Sequence, residues 1–182
     1  VYACQQEKEP VLELSSSMDI GEHPGCNRGE TYIFTNADKV RMYKNDRFIK
    51  EYSAADSPYT HLKHGPILID DFIGDALQEE HMKPGQEAGV KKALNAFTRF
   101  GFAKLPKSIY ATGIWLILRY HMNMEEAVRL YNQYIGDWGG TSTTYRFEAV
   151  MVDASTRQER VVKTIIKEPM TERKISAVAD HE

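Results

Sequence analysis

The hydrophobic period of this chain changes twice, and that constrains its fold more than any single residue does. Up to about Tyr59 the apolar residues tend to alternate, as on a pleated strand. From about Asp70 to Asp137 they recur at a spacing near 3.6, as on a helix. From Thr144 onward the alternation returns. A chain of 182 residues suits one domain with an elaboration. A lone hairpin and a lone meander would each leave an apolar face uncovered, so the two β blocks are expected to pair with each other. The reading is therefore an α+β fold, mainly β: a β-sandwich interrupted by an inserted block of about three helices. Its parts are 1–67 for the first part of the sandwich, 68–140 for the helical insertion, and 141–182 for the closing strands and the start of a next domain.

Local signals fill in this outline. Pro10 to Leu14 alternates weakly, and Glu30 to Thr35 is rich in Tyr, Ile, Phe and Thr, residues that suit a pleated surface. Val40, Met42 and Lys44 share one face of the next run. Asn45-Asp46 separates it from Arg47 to Tyr52, which is a hairpin signal, although Gly would fit the second turn position better than Asp. In the middle zone Val90, Ala93, Leu94 and Phe97 form a helical stripe that Gly101 would end. Pro106 opens a second helix that is apolar nearly all round, so this helix is expected to be the buried one. Asn123 and Glu126 resemble a capping box for a third helix, stopped by Gly136. Tyr145, Phe147, Ala149 and Met151 then alternate with Thr144, Arg146, Glu148 and Val150. A turn at Asp153 to Gln158 leads into Arg160 to Lys167, and a further strand is expected over Lys174 to Ala179.

Composition excludes several functions. No apolar run reaches the roughly 20 residues that span a bilayer, so no membrane partner is expected. With 23 basic and 26 acidic residues the net charge is −3, which argues against a partner bound through a nucleic-acid backbone. Cys4 and Cys26 are too few for a disulfide framework and read as free thiols. The chain starts at Val1 and ends in the strand-like run Arg173 to Glu182, the pattern expected of a domain within a longer protein.

The residues that could carry chemistry are few. Asp70-Asp71, Glu79-Glu80 and Glu125-Glu126 are the paired carboxylates that acid–base work would need. Neighbours on a helix diverge by about 100°, so neither Glu pair converges. Glu125 and Glu126 suit the first turn of a helix, and Asp70-Asp71 reads as a helix cap at a β-to-α junction. His61, His64 and His81 lack a fourth ligand for zinc, and Lys63 stands between the first two. His23 and Cys26 sit among turn formers, and Gly136 to Gly140 has the wrong order of elements for a phosphate loop. No catalytic residue, metal site or cofactor is expected. Trp138 and Tyr59 remain as loop aromatics on which a sugar ring could stack, with Trp138 read first as packing for the helical block.

Thr31 to Asp46 resembles the strand, Asn, acidic residue, Val, strand and Asn-Gly stretch of family 2 glycoside hydrolases of the β-galactosidase type. In that family the stretch lies in the immunoglobulin-like domain after the catalytic barrel. Val1 to Gln6 with Pro10 to Leu12 resembles the exit from the barrel, and Thr144 to Ala149, Val161 to Thr164 and Lys174-Ile175 resemble the closing strands. Asn45-Asp46 departs from the family's Asn-Gly. The resemblance implies an immunoglobulin-like domain of a bacterial glycosidase whose catalytic glutamates lie on a barrel outside this chain. Its partners would be the remaining domains of the parent, with carbohydrate reached through the parent. The compartment stays open, with the cytoplasm favoured. The alternative is a carbohydrate-binding module with its own sugar site at Trp138 or Tyr59.

Overall fold

The computed structural model describes residues 2–6, 8–18, 28–136 and 143–168. Among the described residues seven strands form two antiparallel sheets. Strands β1 (Leu12–Leu14), β2 (Tyr32–Thr35) and β5 (Ile67–Leu68) make the smaller sheet, in the order β1-β2-β5. Strands β3 (Lys39–Lys44), β4 (Arg47–Ser53), β6 (Tyr145–Val152) and β7 (Glu159–Lys167) make the larger one, in the order β4-β3-β6-β7. Between β5 and β6 lie α1 (Pro84–Phe100), α2 (Lys107–Tyr120) and α3 (Met124–Tyr134). The class is therefore α+β, as the sequence implied. The expected strand over Lys174 to Ala179 lies outside the described residues.

The pairing of β3 with β6 closes the fold. Six residue pairs, from Lys39↔Val150 to Lys44↔Tyr145, join strands about a hundred residues apart in sequence. The two sheets share one core that includes Leu12, Ile33, Val40, Met42, Tyr52 and Phe147. The inward faces follow from strand alternation, but two bulges adjust it. Met42 pairs with Lys50 and Tyr43 with Phe48, so Ile49 is the extra residue of β4 and turns into the core. Ala149 pairs with Lys163 and Val150 with Val161, so Val162 is extra on β7. There the simple alternation fails: Val150 is buried and Met151 exposed, the reverse of the periodic reading.

Polar residues at the turns hold distant segments. Asn36 Nδ2 donates to the Gln6 and Glu9 carbonyls, at 2.8 and 2.7 Å, while its Oδ1 accepts the Val11 N–H at 2.7 Å. Asp38 accepts the Val152 N–H at 2.7 Å and so fixes the end of β6. Asn45 accepts the Thr144 N–H at 2.9 Å, and its own N–H donates to the Thr144 carbonyl at 2.8 Å. The hairpin turn thus ties itself to the start of β6. Both turn residues have positive φ, 48° at Asn45 and 61° at Asp46, which is the two-residue hairpin conformation anticipated from the sequence.

The helices form a second core of Ile73, Leu77, Val90, Leu94, Leu116 and Leu130 with their neighbours. Gly85 and Gly89, one turn apart on α1, allow α2 to approach closely. A Cβ at Gly89 would stand 3.0 Å from Leu116 and 3.1 Å from Trp115, and one at Gly85 would strike the Tyr120 hydroxyl. Gly101, with φ of 65°, ends α1 as expected. Asn123 Oδ1 accepts the Glu126 N–H and caps α3.

A second sequence expectation is also reversed. Helix α2 is not the buried helix: only Ile109 and Leu116 are buried, whereas Tyr110, Ile114, Ile117 and Leu118 are more than half exposed. An all-round apolar helix is buried when it has neighbours on all sides. Here α1 packs against one side, and the described residues leave the opposite face in solvent.

Asp46 occupies the left-handed region with a side chain almost wholly in solvent. Asp46→Gly relieves that conformation, offset in part by the entropy of glycine, and is expected to stabilise the fold by about 0.5–1 kcal/mol in urea denaturation. A lower urea midpoint would contradict the turn assignment.

Candidate functional site

The segment 70–74 is the best-defined polar site among the described residues. Asp71 Oδ1 accepts the N–H groups of Ile73 and Gly74, at 3.0 and 3.1 Å, and the Asn95 amide at 3.1 Å. Asp71 Oδ2 is 2.6 Å from Lys91 Nζ, which also donates to the Gly74 carbonyl at 2.6 Å. Asn95 Oδ1 accepts the Phe72 N–H at 2.9 Å. Lys91 and Asn95 are four residues apart, so both reach the segment from one face of α1. From the sheet side, Tyr52 accepts the Asp71 N–H at 3.3 Å, and its hydroxyl lies 3.2 Å from Asp70 Oδ1. Gly74, with φ of 62°, rests on the β4 bulge, where any Cβ would fall 2.9 Å from the Ile49 backbone.

The electrostatics follow from this arrangement. Burial alone would raise the Asp71 pKa, but the Lys91 ammonium, the two backbone N–H groups and the Asn95 amide together hold its carboxyl below the ordinary value. Burial and the nearby Asp70 push the Tyr52 hydroxyl up. These groups are satisfied by one another, which makes the site a clamp between sheet and helices. Asp71 does not cap a helix, contrary to the sequence expectation. The turn of 3-10 helix at Ala76–Glu80 begins after Asp75 and α1 begins after Lys83, and neither start has a side-chain cap. Two consecutive N–H groups in a tight loop compete for the same carboxylate and win it. The sequence reading missed Lys91 and Asn95. Their signal was a polar pair spaced i, i+4 beside the apolar stripe of Val90 and Leu94.

The other paired carboxylates also diverge. Asp70 pairs with Lys50 at 2.8 Å. Glu79 turns to Arg47, while Glu80 meets Arg129 at 2.7 Å and the Tyr134 hydroxyl at 2.8 Å. Arg129 holds the Glu80 carboxyl below its ordinary value, and partial burial with the Glu80 bond pushes Tyr134 up to about 12. Glu125 and Glu126 lie in the first turn of α3, as expected. Among the described residues no three His, Cys, Asp or Glu side chains are grouped to hold a metal. Cys4 is buried, its Sγ 3.6 Å from the His64 carbonyl oxygen.

Of the two loop aromatics, Tyr59 stands on the loop before β5, 42% exposed and edge-on to His61 with ring centroids 6.3 Å apart. Trp138 lies outside the described residues, as do His23, Cys26 and the rest of the glycine-rich run after Gly136. The Gly136 N–H donates to the Tyr131 carbonyl at the end of α3.

An apolar groove of about 480 Å³ lies between α1, α2 and α3. Its walls include Phe97, Phe102, Ile114, Ile117, Val128 and Tyr131, and Gly113 opens its rim with no atom within 4 Å of where a Cβ would be. The groove has the size of a ligand pocket but lacks the convergent charged groups that orient a polar substrate. No family model, curated protein or solved structure matches this chain.

Asp71→Asn keeps the shape of the clamp and removes its charge. A loss of about 2 kcal/mol at neutral pH is expected by chemical denaturation. Because the folded carboxyl has a depressed pKa, its contribution is complete above the unfolded value near 4 and fades as pH falls below it. The deficit of the Asn variant should therefore shrink between about pH 4 and pH 2. An equal deficit at both ends of that window would show that the carboxylate charge is not its source.

Proposed function

We propose that this chain is a non-catalytic, immunoglobulin-like domain of a bacterial glycoside hydrolase of the β-galactosidase type, whose sheets pack against the catalytic barrel of the parent enzyme. The observation that carries this reading is the pairing of β3 with β6 around the helical block. A chain that leaves the smaller sheet at β5, forms a separate helical core and returns to the larger sheet beside β3 is consistent with a sandwich that carries an insertion. That layout agrees with the resemblance at Thr31 to Asp46 and at Thr144 to Thr164.

The fate of the motif's polar residues supports the same reading. Asn36, Asp38 and Asn45 each bind the backbone of a distant segment, so the residues that carry the resemblance serve the architecture of the domain. Asp70, Asp71, Glu79 and Glu80 are committed to cations or backbone donors, which suits packing and leaves acid–base work to the barrel. In this reading the sugar and the catalytic glutamates belong to the parent, and a cofactor has no role.

The test uses an antibody raised against this chain on a lysate of its source organism. The epitope is expected on a polypeptide long enough to hold a barrel of about 250 residues as well, co-eluting with β-galactoside hydrolysis. The purified 182-residue chain is expected to hydrolyse none. A band of 20.8 kDa that separates from that activity would refute the proposal. So would saturable galactoside binding by the purified chain that Tyr59→Ala abolishes, which would make it a sugar-binding module.

A further inference from the structure

We infer that the exposed face of α2, with the groove beside it, is a self-association surface that takes a second copy of this chain. The inference goes beyond the proposed function and does not depend on it. Three observations lead to a second copy.

The first is area. Tyr110, Ile114, Ile117, Leu118, Met124 and Val128 are between 49% and 75% exposed on neighbouring parts of α2 and α3. Taking roughly 150–250 Å² for the aromatic side chain and somewhat less for each aliphatic one, the exposed fractions give on the order of 500–700 Å² per copy. Each partner in a standard protein interface contributes roughly 800 Å². Leu118 and Met124, the most exposed, are the natural knobs.

The second is shape. The same face that bears these knobs holds the 480 Å³ groove, and Gly113 leaves its rim open to close approach. A two-fold contact requires that one patch carry both the projection and the recess it fills, because residue i meets j and j meets i.

The third is charge. No acidic residue occurs between Glu87 and Glu125, whereas Lys107 is exposed in the first turn of α2 and falls, by helical spacing, on the side of Ile114 and Leu118. Glu125 and Glu126 lie in the first turn of α3 beside Met124. The face thus holds a basic residue, Lys107, at the start of α2 and an acidic pair beyond its end, and a second copy laid antiparallel supplies the opposite sign to each. An anionic membrane would be repelled by the first turn of α3. An uncharged small molecule would make no use of either charge.

The test is sedimentation equilibrium of the full chain up to about 200 µM. A concentration-dependent species of twice 20.8 kDa is expected. The double variant Ile114→Glu/Leu118→Glu alters only exposed positions, so its circular dichroism and thermal midpoint should match the parent. Its dimer dissociation constant should rise at least about 100-fold. Met151→Glu, on the outer face of β6, should leave the dimer intact and separates this surface from general stickiness of the sheet. A monomer throughout the concentration range would overturn the inference, leaving the groove to another occupant. A dimer unaffected by the double variant, or lost in Met151→Glu, would overturn it as well. None of these outcomes alters the size of the polypeptide that carries the epitope, so failure here and failure of the proposed function are distinguishable.

Discussion

The clamp of Asp71 by Lys91 and Asn95 is the interaction on which the rest of the structure depends. The sheets and the helices have separate cores, and the chain passes from one to the other between Phe72 and Ile73. Such a junction must bury several peptide groups away from both ladders, and each buried N–H needs an acceptor. Asp71 and Asn95 supply acceptors for three consecutive ones, and Lys91 neutralises the charge that this brings inside. Breaking such a pair leaves an uncompensated buried charge, which costs more than the pair contributes. Gly74 completes the junction by letting the loop rest directly on the β4 bulge. Secondary ties run in parallel: Lys44 to the Tyr134 carbonyl, Arg99 to Glu30, and the Arg28 N–H to the Thr98 carbonyl.

This junction also accounts for the exposed apolar face. Helix α1 is held to the sheets by its Lys91 and Asn95 face, and its Gly85 and Gly89 face receives α2. Helix α2 is thereby placed as an outer element, with α1 on one side and, among the described residues, open space on the other. An exposed apolar helix face of this size marks an interaction surface. The two-sheet body and the helical insertion thus have distinct work in this account: the sheets form the domain, and the insertion adds a surface for assembly.

The elements were legible in the sequence where local chemistry decides them. The hairpin at Asn45-Asp46, the Gly101 stop and the Asn123 cap each depend on a few adjacent residues and fall where they were expected. The pairing of the two β zones was also legible, because neither zone could cover its own apolar face. What failed depended on neighbours distant in sequence. The burial of α2 could not be read from its own composition, since an apolar helix looks the same in a core and at an interface. The switch of Val150 and Met151 came from a bulge set by the partner strand β7. The role of Asp71 required residues of α1, twenty and more positions away. Strand β5 is two residues long, too short for any period to reveal. Trp138 and Tyr59, on which a sugar ring could stack, were singled out only as aromatics on loops, and of the two only Tyr59 falls among the described residues.

The central claim is that the helical block is ordered on the sheet body through the 70–74 clamp. Native-state hydrogen exchange on the parent chain and on Asn95→Ala tests it most directly, because exchange resolves which elements open together. The account predicts that Asn95→Ala lowers protection in α1, α2 and α3 while the amides of β3 and β6 keep theirs. Equal loss of protection in the helices and in the β3–β6 ladder, or none in either, would contradict it.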